Sequence, residues 1–200
     1  METARQMGQM VEIFGMKVPT DTYYVHRGHT WAVVEENQLV RVGLDDFSQK
    51  LMGPAEEVRL PEAGKTLFQD HVCLSLAREG HKVSFVAPVD GEVIEVNFKV
   101  RANPRLIHDD PYGEGWLVKV RPTNLKANLE KLMYGEAVAA WMDEEVHRLL
   151  NLMDTSIGVT LPSGGEMIDN VIGHYPALGW RRLAGEFFLR DMTKSWMKRS

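Results

Sequence analysis

The chain carries a single cysteine, Cys73, among its 200 residues. One cysteine cannot form a disulfide within the chain, and it cannot supply the paired thiols of a zinc or redox motif. The neighbours of Cys73 are apolar, which favours a small buried side chain over a reactive thiolate. The cysteine content therefore excludes a disulfide-stabilised scaffold and predicts a reducing, cytoplasmic setting.

Positive charge and long apolar runs are also scarce. The 23 lysines and arginines are outnumbered by 28 aspartates and glutamates, which gives a formal net charge of -5. A general nucleic-acid binder normally shows a basic excess, so nucleic acid is not an expected partner. No apolar run reaches the roughly 18 to 20 residues that span a bilayer, and the first residues lack the apolar stretch of a signal peptide.

Signatures of catalysis are missing as well. The chain has no nucleophile triad signature and no dinucleotide fingerprint, and the pair Gly164-Gly165 lacks the strand and helix that flank a phosphate-binding loop. His26 and His29 have a spacing that suits two metal ligands on one turn, but no cysteine or carboxylate pair accompanies them. We therefore predict no catalytic residue and no metal site, and we interpret both histidines as structural.

Short strands dominate the region between Tyr23 and Val120, where apolar and β-branched runs alternate with Gly, Pro, Asp and Asn. The segment 31–43 predicts a hairpin around a polar centre, and the segment 82–96 predicts a second turn at residues 88–91. Strands with one apolar face bury it by forming a sandwich or a flattened barrel. The predicted fold class is therefore mainly β.

Helices are predicted at two places within or after the strands. The segment 45–51 begins with an aspartate that can cap a first turn. Residues 124–153 place apolar side chains largely at helical spacing, with Gly135 as a break. The apolar residues near the N-terminus, such as Val11 and Phe14, suggest no more than a frayed helix.

An amphipathic helix is also predicted near the C-terminus, over residues 178–198. Its apolar stripe consists of Leu183, Ala184, Phe187, Phe188, Met192 and Trp196. Much of the remaining helix surface is basic. The stripe must be covered by the protein's own barrel, by a partner protein that contacts Phe187, Phe188, Met192 and Trp196, or by a membrane surface.

Four motifs carry a resemblance to a known family. They are H-T-W at 29–31, R-L-P-E-A-G at 59–64, P-V-D-G-E-V-I-E-V-N at 88–97 and D-D-P-Y-G-E-G-W-L at 109–117. Together they resemble the glycine cleavage H-protein family over about Tyr23 to Leu150. The resemblance implies a lipoyl-domain-like flattened β-barrel or sandwich with C-terminal helices. It divides the chain into an N-terminal segment (1–22), an H-protein-like domain (23–150) and an extension (151–200).

The family's lipoyl lysine is missing at the position where it is expected. In H proteins this lysine stands eight residues before the proline of the P-V-D-G motif, and here that position holds Gly80. Counting nineteen residues forward from Pro61, which matches the family's upstream proline, also reaches Gly80. Glycine has no side-chain amine to acylate.

The resemblance implies a carrier and not an enzyme. H proteins hold an aminomethyl group on lipoamide and pass it among glycine decarboxylase, the aminomethyltransferase and lipoamide dehydrogenase. Because the lysine is absent, we predict a partner-binding or scaffold homologue without a cofactor, whose protein partners come from glycine cleavage or lipoate-linked enzymes. The hairpin tip of Glu79, Gly80 and His81 is either a solvated turn or the contact with that partner.

Two alternatives to this function are kept. The first is a lipoyl carrier modified on Lys82, two residues beyond the family's position and on the same face of an extended strand. The second is a membrane-surface adaptor that uses the basic C-terminal helix. The resemblance assigns Asp109, Asp110 and Glu114 to a structural turn, with Trp116 in the core.

Overall fold

The structure is a computed structural model that describes residues 8–158 and 165–188. Within these ranges the strands are β1 (Met10–Ile13), β2 (Met16–Pro19), β3 (Tyr24–Val25), β4 (Thr30–Val34), β5 (Val40–Leu44), β6 (Glu57–Arg59), β7 (Thr66–Leu67), β8 (Val72–Arg78), β9 (His81–Val86), β10 (Gly91–Val96) and β11 (Val118–Pro122). The helices are α1 (Asp46–Met52), α2 (Phe98–Ala102), α3 (Leu106–Asp109), α4 (Leu125–Leu129), α5 (Glu136–Ile157), α6 (Val171–His174) and α7 (Trp180–Leu183). A 3₁₀ turn spans Pro176–Leu178, and a π-helical turn spans Ala184–Phe188.

The described strands form three antiparallel sheets. The largest has the order β3-β4-β5-β11-β10-β7, a second has the order β6-β8-β9, and β1 pairs with β2. The predicted first hairpin is confirmed as β4-β5, in which Trp31 lies opposite Gly43. A Cβ atom on Gly43 would lie 2.2 Å from Cζ2 of Trp31, so this strand position needs a glycine to let the buried indole lie across it.

The predicted turn at residues 88–91 has a different role from the one expected. It joins β9 of the three-stranded sheet to β10 of the six-stranded sheet, and the two strands do not pair with each other. The Asp90 carboxylate accepts hydrogen bonds from the backbone N–H of Gln69 (2.7 Å) and from the Asn128 side-chain amide (2.9 Å). The segment is therefore a fixed crossover between sheets.

The N-terminal segment forms a hairpin and not a frayed helix. β1 and β2 are joined by Phe14 and Gly15, which both have positive φ angles of 48° and 76°. Left-handed angles at both central residues match the twist of a two-residue hairpin. Met16 and Val18 of β2 are fully buried, so this segment belongs to the folded body.

The helix predictions are largely confirmed. Asp45 caps α1 by accepting a hydrogen bond from the backbone N–H of Ser48 at 2.9 Å. Gly135, with a φ of 67°, separates α4 from α5. α5 continues to Ile157, so the boundary placed at residue 150 falls inside a helix. The short helices α2 and α3 lie in the region that was predicted to be mostly β.

The C-terminal extension is packed into the same core as the sheets. Its contribution consists of Met167, Val171, Ile172, Leu178, Leu183, Phe187 and Phe188, all with at most 5% of their surface exposed. The expected continuous helix is corrected: α7 begins after Gly179 and passes into the π-helical turn at Ala184. Residues 189–198 of that predicted helix lie outside the described residues.

Candidate functional site

The tip of the β8-β9 hairpin is a two-residue turn made by Glu79 and Gly80. Their φ angles are 51° and 76°, and the flanking residues Arg78 and His81 lie opposite each other in the ladder. Two left-handed residues are what a tight hairpin of this twist requires, and glycine adopts that conformation without steric cost. The position at which the resemblance places the lipoyl lysine is thus the second central residue of the turn.

Space is available at position 80 for a larger side chain. Gly80 is exposed, and a Cβ atom built on it would meet no heavy atom within 4 Å. The only penalty for another residue is its left-handed backbone, which costs roughly 1–2 kcal/mol. The glycine is therefore not imposed by packing against neighbouring residues.

The tip is anchored from below by polar contacts. The Glu56 carboxylate accepts a hydrogen bond from the backbone N–H of Glu79 at 3.0 Å. The Arg78 guanidinium donates to the carbonyl of Met52 at 3.2 Å and to the Glu79 carboxylate at 3.1 Å. These contacts hold the hairpin against the end of α1 and the chain that follows it, so the tip is a fixed projection.

His81 and Lys82 follow the turn as the first residues of β9, and both are exposed. Lys82 lies opposite Ala77 within the ladder, so its side chain starts from a strand position and not from the turn. The imidazole of His81 stacks on Trp180 of the extension, with ring centroids 5.2 Å apart and planes at 16°. The structure therefore leaves Glu79, Gly80 and Lys82 accessible and places the extension beside them.

The two phenylalanines proposed as partner contacts lie in the protein's own core. Phe187 and Phe188 are each 1% exposed. Phe188 packs against Phe85 and the ring of His29, with centroid separations of 4.8 and 5.7 Å. This burial corrects the expectation that both side chains are free for a partner. Burial of an apolar ring is favourable because it removes apolar surface from water. Met192 and Trp196 lie outside the described residues.

A buried cluster of charged groups lies next to Phe188. Nδ1 of His29 is 2.7 Å from the Asp45 carboxylate, and Nε2 is 3.7 Å from the Glu145 carboxylate, which is beyond hydrogen-bond length. Arg148 donates to Glu145 at 3.1 Å and also contacts the backbone carbonyl of Glu186. Sequence reasoning found His29 and the capping Asp45 but missed Glu145 and Arg148. The signal available in the sequence was their spacing of three residues, which brings two side chains together on one face of a helix.

These neighbours change the protonation of His29. Burial disfavours the charged imidazolium, but the carboxylates of Asp45 and Glu145 outweigh it and raise the pKa of His29 from 6.5 to about 9. The imidazolium and Arg148 balance two buried carboxylates at neutral pH. The cluster is a charge-balanced link between the segment before β4, the start of α1, α5 and the extension.

We expect the free energy of unfolding to fall as the pH rises from 6.5 to 9. A group whose pKa is higher in the folded than in the unfolded protein stabilises the fold fully when the pH is below the unfolded-state pKa. This stabilisation is lost as the pH rises through the folded-state pKa. The contribution of His29 is on the order of 3 kcal/mol. Urea unfolding at a series of pH values measures it, with His29→Gln as the control. A wild-type stability that stays flat across this range contradicts the assignment.

The second histidine of the pair serves a different group. Nδ1 of His26 accepts a hydrogen bond from the backbone N–H of Gly28 at 2.8 Å, so Nε2 donates to the Asp70 carboxylate at 2.7 Å. Asp70 has a φ of 69°, and its hydrogen bond with His26 lowers its pKa. In the part of the chain that the structure describes, no group of three or more His, Cys, Asp or Glu residues could hold a metal ion.

The remaining sequence candidates have structural positions. The Asp110 carboxylate accepts a hydrogen bond from the backbone N–H of Glu114 at 2.7 Å, and Trp116 is 7% exposed. The 109–116 motif is therefore a turn that leads into the core.

Burial of the thiol raises the pKa of Cys73 to about 12, which makes it a poor nucleophile at neutral pH. Across residues 8–158 and 165–188, no helix is both long and apolar enough to cross a bilayer.

Comparison with known proteins gives this geometry a family context. The family model for the glycine cleavage H-protein matches residues 22–145. A probable glycine cleavage system H protein of Thermococcus kodakarensis is 38% identical over 133 residues, covering 66% of this chain and 98% of that protein. Glycine cleavage system H protein 2 of Aquifex aeolicus is 34% identical over 143 residues, covering 71% and 89%.

A solved structure supports the same assignment. The crystal structure of a glycine cleavage system H protein from Mycobacterium marinum matches with a TM-score of 0.50 and 31% sequence identity, covering 53% of this chain and 87% of that one. The predicted fold class, a mainly β lipoyl-domain-like structure with C-terminal helices, is confirmed. The chain belongs to the glycine cleavage H-protein family.

Proposed function

We propose that this protein is a partner-binding or scaffold member of the H-protein family that works without lipoate in the cytoplasm. The observation that carries the proposal is Gly80, which occupies the exposed second residue of a tight turn where the family's lysine is expected. The turn is ordered and open, yet it has no amine to acylate. In this proposal the protein has the hairpin surface of a carrier but lacks the lysine that would bear a lipoyl group.

The contact surface that we propose is the hairpin tip. Glu79, His81 and Lys82 present one carboxylate, one imidazole and one ammonium group at an anchored projection. A rigid polar projection loses little conformational entropy when it is bound, which favours affinity. The proposed partners are the enzymes of glycine cleavage or other lipoate-linked enzymes, because these receive the same hairpin from lipoylated members of the family.

Binding at the tip predicts a measurable loss when its side chains are removed. We expect the protein to bind glycine decarboxylase, the aminomethyltransferase or lipoamide dehydrogenase, and the triple variant Glu79→Ala, His81→Ala, Lys82→Ala to bind at least about tenfold more weakly. Surface plasmon resonance against each immobilised enzyme measures this, with an authentic H protein as the positive control.

A matched control lies at the other end of β9. Lys126 is exposed on α4 and Glu130 is exposed directly after it, and α4 is tied through Asn128 to the crossover at Asp90. The variant Lys126→Ala, Glu130→Ala should bind as the wild type does. Failure to bind any of the three enzymes, under conditions in which the authentic H protein binds, contradicts the proposed partners. Equal binding by the triple variant contradicts the proposed surface.

The second candidate function is a lipoyl carrier modified on Lys82. This alternative is favoured by the exposure of Lys82 to solvent. Its position opposite Ala77, inside the ladder and beyond the turn, counts against it, because a ligase must recognise the turn as well as the amine.

The membrane-surface alternative receives no such support from the described residues. The apolar side chains of Leu183, Phe187 and Phe188 are buried in the protein itself. They could reach a bilayer only after leaving the core.

A further inference from the structure

An open cleft lies where the N-terminal hairpin meets the extension. Both segments lie outside residues 22–145, which the family model matches. They are joined by a hydrogen bond from the backbone N–H of Met167 to the carbonyl of Phe14 at 2.7 Å. The cleft holds about 460 Å³. The residues that line it are Glu12, Ile13, Phe14, Gly15, Asp143, Gly165 and Glu166.

An apolar recess adjoins the cleft between α5 and the extension. Phe14 and Gly165 line both spaces. The other residues that line the recess are Val146, Leu149, Leu150, Met153, Met167, Ile168, Val171 and Tyr175. The recess holds about 20 Å³, less than the roughly 30 Å³ that one water molecule takes up in the liquid. It therefore has room for the end of an alkyl chain, and its apolar walls offer water no partners.

The wall that the two spaces share is preformed. Phe14 has a φ of 48°, a left-handed conformation that is rare for a bulky residue. Its ring packs edge-on against the ring of His147, with centroids 5.6 Å apart. Such a conformation persists where surrounding contacts determine it, and residues of this kind are frequent at ligand sites. The cleft and the recess therefore need no rearrangement of this turn to receive a ligand.

The cleft is acidic, in contrast to the recess. Glu12, Asp143 and Glu166 are exposed along it. The Asp143 carboxylate lies 3.3 Å from Nδ1 of His147. Among the described residues, neither Glu12 nor Glu166 forms an ion pair, although Lys17 lies opposite Glu12 in the β1-β2 ladder. Three carboxylates against one lysine and one histidine make the cleft complementary to a cation.

The arrangement of the two spaces determines which cation fits. A ligand must place an apolar end in the recess and a positive charge in the cleft. An alkylammonium ion meets both requirements, because its charge and its methyl group are at opposite ends. A lysine side chain does not, because its ammonium is the free end and would enter the apolar recess, where desolvation disfavours a charge.

We propose that the cleft and the recess together bind a small primary alkylamine. Its ammonium group lies among the carboxylates of Glu12, Asp143 and Glu166, and its methyl end occupies the recess. Apart from Asp143, the lining residues belong to segments outside the family match. The site is therefore separate from the hairpin tip, and it does not depend on the proposed partner binding.

Three molecules with the same number of heavy atoms test the site in the wild-type protein. Pentylamine has both features, pentanol lacks the ammonium group, and aminobutanol replaces the terminal methyl group by a hydroxyl group. Nuclear magnetic resonance of methyl-labelled methionine measures binding, with Met153 and Met167 as reporters and Met133, which lines neither space, as the internal control. At neutral pH we expect pentylamine to shift both reporters and to bind at least about fivefold more tightly than either other molecule.

Each other result overturns the proposal. Equal binding of pentanol would show an apolar cavity that does not select a charge. Equal binding of aminobutanol would show attraction to the carboxylates without use of the recess. If pentylamine shifts neither Met153 nor Met167, the site does not exist. The comparison uses the wild-type chain, so none of these results depends on whether a variant folds.

Variants then locate the two ends of the ligand. The double variant Glu12→Gln, Glu166→Gln should bind pentylamine at least about threefold more weakly and should bind pentanol as the wild type does. Glu144 is exposed on α5 and lines neither space, so Glu144→Gln should bind as the wild type does. Val171→Ile adds one methyl group to the wall of the recess and should remove the preference for pentylamine over aminobutanol. Wild-type binding by the double variant or by Val171→Ile contradicts the proposed contact at that end.

Discussion

We expect replacement of Gly80 by lysine to make this protein a good substrate of lipoate ligase. The position is exposed, leaves a Cβ atom with no heavy atom within 4 Å, and belongs to an anchored turn. The left-handed backbone costs the variant roughly 1–2 kcal/mol, which a domain of ordinary stability tolerates. After co-expression with the ligase and lipoate, the intact mass should show one lipoyl group, mapped to residue 80.

A matched lysine elsewhere controls for accessibility alone. Gly64 is also exposed, has a φ of 86° and has nothing within 4 Å of a Cβ atom. Gly64→Lys should therefore fold equally well and remain unmodified. If Gly80→Lys folds but stays unmodified, beside an authentic H protein that is modified in the same cells, the hairpin has lost more of its carrier features than the lysine.

Truncation of Phe188 to alanine should cost about 3–5 kcal/mol in the free energy of unfolding. Phe188 is 1% exposed and contacts the rings of Phe85 and His29, so its removal leaves a cavity and loosens the charged cluster beside it. Urea or guanidinium unfolding measures the change. A loss of this size is a large share of the stability of a single domain.

The same substitution at an exposed phenylalanine provides the control. Phe98 is 71% exposed and contacts only the guanidinium of Arg101 among the ring interactions of the described residues. Phe98→Ala should change the stability by less than about 1 kcal/mol. A Phe188→Ala variant as stable as Phe98→Ala contradicts the packing of the extension onto the domain.

Much of the fold was accessible from local sequence patterns because those patterns specify turns and caps. The β4-β5 hairpin, the cap at Asp45 and the break at Gly135 each depend on residues close in sequence. Strand pairing across sheets does not. Residues 88–91 look like a hairpin turn, yet β9 and β10 belong to different sheets, because period-two alternation predicts a strand but not its partner.

The site was only partly predictable for a related reason. The Glu79-Gly80 turn was expected from the motif spacing and from glycine chemistry, and both residues have left-handed φ angles in the structure. Glu145 was not identified from the sequence, although it is 3% exposed and its carboxylate lies 3.7 Å from the His29 ring. The apolar stripe at residues 183–188 was recognised, but no local pattern indicates which surface covers it.

The central claim is that this H-protein fold carries no lipoyl arm, and the intact mass of the wild-type protein tests it most directly. The protein is co-expressed with a lipoate ligase and lipoate, and peptides are mapped across residues 74–86. We predict an unmodified chain beside an authentic H protein that is modified in the same cells. A lipoyl mass on Lys82 would contradict the account and restore a carrier function.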